Sequence, residues 1–322
     1  MLNPMFDAWA SLCGVSPFSW DAPHPDVGHV PQRAKGTRLT PSLVAQRLST
    51  DAGSLDYKLY VPASYTGRPA ALLVMLHGCS QDGSDFARGT GMNELAEHYQ
   101  CLVAYPEQSP SKNSGRCWNW FEKAHHHRGG GEPALIAGVA RKVMDEYAVD
   151  PSKVFIAGLS AGGAMAVVLG RTYPDLFCAV GSHSGLAHGC AVGTSAAMQA
   201  MHYGASAGSA PLDVDPLPLI VFHGDMDSTV HPRNARGVIE QTVSLSQLRR
   251  ATVHTGEATG RSFTCEIHRG AAGAVVAEHW TVHGSGHAWS GGQRRGSYTD
   301  ASGPDASAEM MRFFMTACES RK

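Results

Sequence analysis

Short runs of apolar residues recur along the chain from about residue 55, and most of them are too short to be helices. Residues 56–61 alternate with a period of two, as a half-buried strand does, whereas residues 71–76 form a continuous apolar run. Such a run is typical of a strand that is buried on both faces of a parallel sheet. The same character returns in residues 101–105, 154–157 and 219–222.

Helical patterns lie between these runs. Residues 132–147 place their apolar side chains roughly on one stripe behind a Glu-Pro start, which is typical of an amphipathic helix. Further helices are predicted over residues 161–171, 234–248 and 305–317. Strands that alternate with helices predict an α/β fold, with a mostly parallel central sheet and helices on both faces.

The beginning of the chain follows neither pattern, because it is rich in proline, glycine and isolated charges. We therefore predict that residues 1–54 form an irregular N-terminal arm packed on the domain. Residues 55–322 contain no internal repeat and no low-complexity tract. Their length suits a single α/β domain.

Composition narrows the classes of partner. With 43% hydrophobic and 17% charged residues, the chain can build a large core. A net charge of -2 gives no electrostatic reason to bind nucleic acid or an anionic membrane surface, and no apolar stretch is long enough to span a bilayer. Residues 1–7 lack the basic start and apolar run of a secretory signal. A cytoplasmic location is thus slightly favoured, and secretion is the alternative if a signal has been removed.

The first candidate for chemistry is Gly158-Leu159-Ser160-Ala161-Gly162, which has the form G-x-S-x-G. It follows a buried strand and precedes a helix of small residues, as a nucleophile elbow does. Glycines flank such a serine because a Cβ there would collide with neighbouring chain. An ordinary glycine-rich turn is the alternative, but the strand and the helix favour the elbow, with Ser160 as the nucleophile.

A second motif, His77-Gly78-Cys79, closes the apolar run 71–76. In folds with a nucleophile elbow, the loop after an early central strand supplies one backbone N–H of the oxyanion hole, and the residue after the nucleophile supplies the other. This predicts the amides of Cys79 and Ala161 as donors. The His77 side chain is interpreted as a satisfied core residue.

The acid and the base that accompany such a nucleophile are expected on loops that follow late strands, because the carboxylate must reach the imidazole there. The pattern H-G-x-x-D-x-x-V over residues 223–230 selects Asp227 as the acid and leaves Asp225 as an Asx-type turn residue. His287 lies on a glycine-rich loop after the strand 278–282, with His283 as the alternative. The order Ser, Asp, His is the one that elbow-bearing hydrolases use. These roles predict a serine ester hydrolase that needs no cofactor.

The sequence contains two further clusters, one of histidines and one of aromatic residues. Three adjacent side chains diverge, so His125-His126-His127 is interpreted as a solvated loop, and no metal is predicted. The aromatic segment 117–121 is either a satellite core or the apolar wall of a cleft. Its place at the carboxyl edge of the sheet favours the wall. We therefore predict Trp118, Trp120 and Trp289 as substrate-binding residues.

Together these motifs resemble the poly(3-hydroxybutyrate) depolymerase and feruloyl esterase group of α/β-hydrolases. The resemblance covers residues 55–317 and implies the α/β-hydrolase fold, with Ser160, Asp227 and His287 as its triad. It implies an ester substrate, either a hydroxyalkanoate oligomer or polymer, or an aromatic acyl ester of plant polysaccharide. The segments that carry the resemblance are residues 77–81, 105–108, 117–121, 158–165, 173–174 and 286–292.

Esterase action on short hydroxyacid oligomers is the leading hypothesis, and a feruloyl or acetyl esterase acting on decorated polysaccharide is the alternative. A non-catalytic binding protein of the same fold would lack a triad residue, and none is lost. A dienelactone-hydrolase or peptidase activity stays open because a fold does not fix function.

The eight scattered cysteines leave buried thiols and disulfides open. The loops of Cys79 and Cys117 should meet at the carboxyl edge of the sheet, which predicts a bond between them. A reducing cytoplasm argues against that bond.

Overall fold

The structure, a computed structural model, describes residues 42–205, 216–243, 250–270 and 273–319. The predicted arm up to residue 41 and the end of the helix predicted over 234–248 lie outside these ranges.

Ten strands form one sheet in the order β1-β2-β4-β3-β5-β6-β7-β10-β9-β8. The neighbours from β4 to β10 pair in parallel, whereas β1, β2, β9 and β8 join antiparallel at the two edges. The predicted α/β architecture with a mostly parallel centre is therefore confirmed. The strands are β1 Ser42–Thr50, β2 Gly53–Val61, β3 Ala70–Leu76, β4 Cys101–Glu107, β5 Val149–Leu159, β6 Ala179–His183, β7 Leu219–Gly224, β8 Arg250–Ala258, β9 Arg261–Arg269 and β10 Val275–Val282.

The helices cover both faces of the sheet. On one face, Leu72 and Val74 belong to the core under the helices Gly131–Glu146 (α3), Ala161–Thr172 (α4) and Arg233–Thr242 (α6). On the opposite face, Phe155 stacks on Phe314 of the helix Ala306–Glu319 (α7), with ring centroids 5.0 Å apart. The α-helices are α1 Gly83–Thr90, α2 Met92–Tyr99, α3 Gly131–Glu146, α4 Ala161–Thr172, α5 Thr194–Tyr203, α6 Arg233–Thr242 and α7 Ala306–Glu319. A 3-10 helix spans Lys123–His126, and β11 Trp289–Ser290 pairs with β12 Thr299–Asp300.

One boundary was predicted wrongly. Residues 42–54, assigned to the irregular arm, form β1 and the start of β2, which pair from Ser42↔Val61 to Thr50↔Gly53. As an edge strand, β1 buries little: Leu48 is 7% exposed, whereas Val44 is 45% exposed. Its hydrophobic period is correspondingly weak, which explains why the pattern did not reveal it.

Candidate active site

The G-x-S-x-G segment forms a sharp turn between β5 and α4. Ser160 has φ 57° and ψ -120°, a left-handed conformation that non-glycine residues rarely adopt and that clusters at functional sites. A Cβ on Gly162 would lie 2.5 Å from the carbonyl oxygen of His77, and one on Gly158 would lie 2.5 Å from the carbonyl carbon of Gly162. The two glycines are therefore required by close backbone approach, and the predicted elbow geometry is present.

Asp227 follows β7 on the segment 225–230, which we call the acid loop. Its Oδ2 accepts a hydrogen bond from His287 Nδ1 at 2.7 Å, and its Oδ1 accepts the amides of Thr229 and Val230 at 2.9 and 2.8 Å. Burial alone would raise the pKa of Asp227, but the hydrogen bonds from His223, His287 and Val230 hold it well below its usual range. The carboxyl group is thus ionised and serves as an acceptor.

His287 lies on residues 283–288, which we call the base loop, after β10. Because an ionised carboxylate can only accept, His287 carries its proton on Nδ1, and Nε2 keeps a free lone pair. The side chain is 12% exposed. In the described part of the chain no hydrogen bond joins Ser160 Oγ to His287 Nε2; such bonds often tighten only in the complex with substrate.

His183, which sequence reasoning missed, links the elbow to the segment after the base loop. Its carbonyl oxygen accepts the Ser160 amide at 2.8 Å, and its Nε2 accepts the Ser290 amide at 3.0 Å. The ring stacks on Trp289 with centroids 5.2 Å apart. Burial lowers the pKa of His183 to about 3, and the nearby His223 and His287 reinforce this shift. A neutral imidazole therefore connects the elbow to the strand that follows the base loop. Its position at the end of the apolar strand β6 was the available signal.

The loop after β3 lies against Ser160, the candidate nucleophile. A Cβ on Gly78 would be 3.6 Å from Ser160 Cβ. The amides of Cys79 and Ala161, the predicted oxyanion donors, find no acceptor within the described ranges. Free amides beside the nucleophile are what an oxyanion hole requires.

A disulfide bond joins Cys79 to Cys117, as predicted, with their Cα atoms 4.3 Å apart. The Ser80 amide also donates to the Gly115 carbonyl at 2.7 Å. The oxyanion loop is therefore tied, covalently and by a hydrogen bond, to the start of the aromatic segment.

His77 is buried beneath this loop. Its Nδ1 donates to the Gly78 carbonyl at 2.7 Å and its Nε2 accepts the Gln108 amide at 3.1 Å. Burial lowers the pKa of His77. It is the satisfied core residue that the sequence predicted.

The three tryptophans do not form an open substrate wall. Trp118, Trp120 and Trp289 are 0%, 4% and 1% exposed. The indole of Trp118 donates to the His77 carbonyl at 3.1 Å, and that of Trp289 donates to Ser307 Oγ at 3.0 Å. Because the loops at this edge fold inward and offer buried acceptors, the rings extend the core. The predicted substrate contact is therefore not retained.

The histidine run also differs from its prediction as a solvated loop. His125 and His126 are 9% and 7% exposed within the 3-10 helix. Their rings bond to the carbonyl oxygens of Asn119 and Trp120, at 2.7 and 2.9 Å. Both imidazoles fix the aromatic segment, because their partners are its backbone groups.

The two alternative residues, Asp225 and His283, pair with each other. His283 Nδ1 lies 2.8 Å from Asp225 Oδ2, and Asp225 Oδ1 accepts the Gly284 amide at 2.7 Å. Asp225 therefore joins the acid loop to the base loop through its carboxylate, and this differs from its prediction as an Asx-type turn residue.

Elbow, acid and base lie after β5, β7 and β10 of a parallel-centred sheet covered by helices. This arrangement defines the α/β-hydrolase class. The sequence also matches the profile of the family described as "Esterase PHB depolymerase" over residues 55–262. The chain belongs to this family.

Individual relatives agree with that assignment. Poly(3-hydroxyalkanoate) depolymerase C of Paucimonas lemoignei is 30% identical over 249 residues, which cover 74% of this chain and 59% of that protein. A probable acetylxylan esterase A of Neosartorya fischeri is 32% identical over 203 residues, covering 58% and 54%. The chain thus spans between half and two thirds of the length of these relatives.

Among solved structures, an acetyl xylan esterase from Aspergillus awamori matches with a TM-score of 0.65 at 22% identity, covering 85% of this chain and 99% of that one. This likeness concerns the fold. Across the described ranges, the helices are too short or too polar to cross a membrane.

Proposed function

We propose that this chain is a serine carboxylic-ester hydrolase that works through an acyl-enzyme on Ser160. The 2.7 Å hydrogen bond between His287 Nδ1 and Asp227 Oδ2 carries the proposal. It fixes the tautomer in which Nε2 is a base, on the loop that precedes the strand Trp289–Ser290, which His183 links to the elbow.

In the proposed reaction, Ser160 Oγ attacks the ester carbonyl carbon while His287 Nε2 takes the hydroxyl proton. The tetrahedral oxyanion accepts hydrogen bonds from the amides of Cys79 and Ala161. Collapse of the intermediate breaks the bond to the alcohol oxygen, which takes the proton from His287. Water, activated by the same imidazole, then releases the acid and restores Ser160.

The test is Ser160→Ala, with exposed Ser111→Ala as the control. Loss of the nucleophile should lower kcat on p-nitrophenyl acetate by about 10⁶, with an unchanged melting temperature. A fluorophosphonate should add one adduct to the wild-type chain and none to Ser160→Ala. Turnover close to wild type in a pure Ser160→Ala sample would remove the proposal.

For the substrate we propose esters of short hydroxyalkanoate oligomers, which membership of the family supports. Hydrolysis of hydroxybutyrate oligomers, followed by release of the hydroxyacid, tests it. A kcat/KM on these oligomers below that on simple acetyl esters would contradict this choice.

One observation favours a second candidate, an acetyl esterase of decorated polysaccharide. A cavity of about 530 Å³ is lined by Glu107 and Gln108, where β4 ends, and by Arg116 and Asn119 near the disulfide. Charged side chains of both signs line it, and no Phe, Tyr or Trp ring is among its described lining residues. Ser160 and His287 are not among these lining residues, so we propose that the cavity holds sugar units beyond the reacting ester, where mixed donors and acceptors suit a hydroxyl-rich chain better than an apolar polyester. Acetylated xylo-oligosaccharides, compared with hydroxybutyrate oligomers, discriminate the two substrates.

The disulfide bears on location, because structural disulfides persist in oxidising compartments and are rare in reducing ones. It supports an extracytoplasmic site of action against the cytoplasmic expectation. Peptide mapping of protein isolated from its native cells under thiol blocking tests this: free Cys79 and Cys117 there would contradict it.

A further inference from the structure

The base loop is open on one side just before His287. A Cβ placed on Gly286 would meet no heavy atom within 4 Å, and Gly284 has a φ of +71°. The same backbone packs closely against Gly224 at the end of β7, where a Cβ would lie 2.2 Å from the Ser285 carbonyl oxygen and 2.7 Å from that of Gly286. Hydrogen bonds from the other side add to this packing.

These hydrogen bonds come from an ion pair outside the triad. Arg261, at the start of β9, donates from Nε to Asp300 Oδ2 at 2.6 Å and from Nη1 to the Gly284 carbonyl at 2.6 Å. Asp300 Oδ2 also accepts Ser285 Oγ at 3.2 Å. The pair thus hydrogen-bonds to two consecutive residues of the base loop, Gly284 and Ser285.

Asp300 is itself fixed. It ends β12, which pairs with β11 directly beyond the base loop, and its Oδ1 accepts the Ser302 amide at 3.0 Å. The side chains of Arg261 and Asp300 are 28% and 16% exposed. This partial shielding makes the ion pair less sensitive to solvent than a surface pair.

The acid loop holds the opposite side. Asp225 binds the Gly284 amide, and the Met226 amide donates to the Ser285 carbonyl at 3.0 Å. The base loop is therefore held between the acid loop and the Arg261–Asp300 pair. Release of either side would let His287 Nδ1 move relative to Asp227 Oδ2.

We propose that Arg261 and Asp300 are positioning residues that hold the His287 loop in register with Asp227. The proposal rests on the proposed hydrolase function. Arginine suits the role because its planar guanidinium donates to two acceptors in a fixed geometry, whereas a lysine ammonium lacks that fork.

The test compares Arg261→Gln, Asp300→Asn and Arg261→Lys. Arg269→Gln serves as the control, because Arg269 ends the same strand and, among the described residues, its side chain bonds only the Gly273 carbonyl, at 3.1 Å. Misplacement of about 1 Å can lower turnover about 100-fold. We expect kcat on p-nitrophenyl acetate to fall about 10- to 100-fold for Arg261→Gln and Asp300→Asn. KM should change less than about twofold, and the double variant should lose no more than either single one.

A readout independent of turnover separates this idea from the proposed function. The His287 Nδ1 proton, held by Asp227, should give a downfield NMR signal that broadens or disappears in Arg261→Gln and stays in Arg269→Gln. Arg261→Lys should fall between them. An unchanged signal with unchanged kcat overturns the positioning role, as does a lowered melting temperature with normal kcat. If the wild type hydrolyses no ester, the hydrolase proposal fails, and the NMR comparison still decides the positioning role.

Discussion

The buried carboxylate of Glu132 accepts two hydrogen bonds from Asn119, at 2.6 Å from the side-chain amide and at 2.8 Å from the backbone amide. It also accepts Gln108 Nε2 at 2.6 Å. Glu132 lies in the first turn of α3, so this helix holds the aromatic segment in place.

Glu132→Ala should leave these donors without their acceptor. A hydrogen bond to a charged group contributes about 1.5–3 kcal/mol, so we expect the free energy of unfolding to fall by about 3 kcal/mol. Urea unfolding measures this. Glu146→Ala, near the end of the same helix with a 40% exposed side chain paired to Lys142, is the control and should cost less than about 1 kcal/mol. Equal losses in both variants would contradict the role of Glu132.

The two aspartates of the acid loop should behave differently. Asp227→Asn cannot hold the His287 tautomer, and we expect kcat to fall about 10⁴-fold. Asp225→Asn keeps one acceptor for the base loop and should lower kcat much less. Steady-state kinetics on one soluble ester decides between them, and a larger loss for Asp225→Asn would reverse the assignment of the acid.

Trp118→Ala should act through stability. Truncation of a fully buried ring typically costs about 3–5 kcal/mol, and the buried His77 carbonyl loses its indole donor. The melting temperature should fall, and activity should decline by the same factor for acetate and oligomer esters at a temperature where the variant remains folded. A loss confined to bulky esters, with normal melting, would restore the ring as a substrate contact.

Acid should destabilise the chain through His183. In the unfolded state this imidazole takes a proton below about pH 6.5, whereas its folded pKa is about 3. The unfolded state therefore binds more protons between these values. The contribution of His183 to stability is lost as the pH falls through this window, by up to about 1.4 kcal/mol per pH unit. Urea unfolding from pH 7 to pH 4 should show this slope, and His183→Asn should make it shallower by about one proton. An identical slope in both proteins would contradict it.

The sequence predicted the central sheet and the three candidate catalytic residues because both have local signatures. Strands such as β3 are buried along their whole length. The elbow requires Gly158 and Gly162 because a Cβ at either position would collide with neighbouring backbone. The antiparallel pair β8 and β9 was missed, since charged and hydroxyl side chains on an edge weaken the apolar pattern. The prediction of substrate contact for the tryptophans was wrong because the sequence pattern of a ring on a loop is the same whether that loop folds inward or opens to solvent.

Local sequence patterns did not predict the contacts between residues that are far apart in the chain. Nothing near Arg261 in the sequence indicates a partner at Asp300, and nothing near His183 indicates that its ring accepts the Ser290 amide. These contacts depend on the order of strands across the sheet. That order depends on the whole chain, and a short segment of the sequence does not reveal it.

The bond between Cys79 and Cys117 also changes the topology of the molecule. It closes a covalent ring that contains α1, α2 and β4. The exposed stretch Pro110-Ser111-Lys112 lies within this ring. A protease that cuts after Lys112 therefore opens the ring without dividing the chain, and the nicked protein runs as one species until a reductant separates its two pieces.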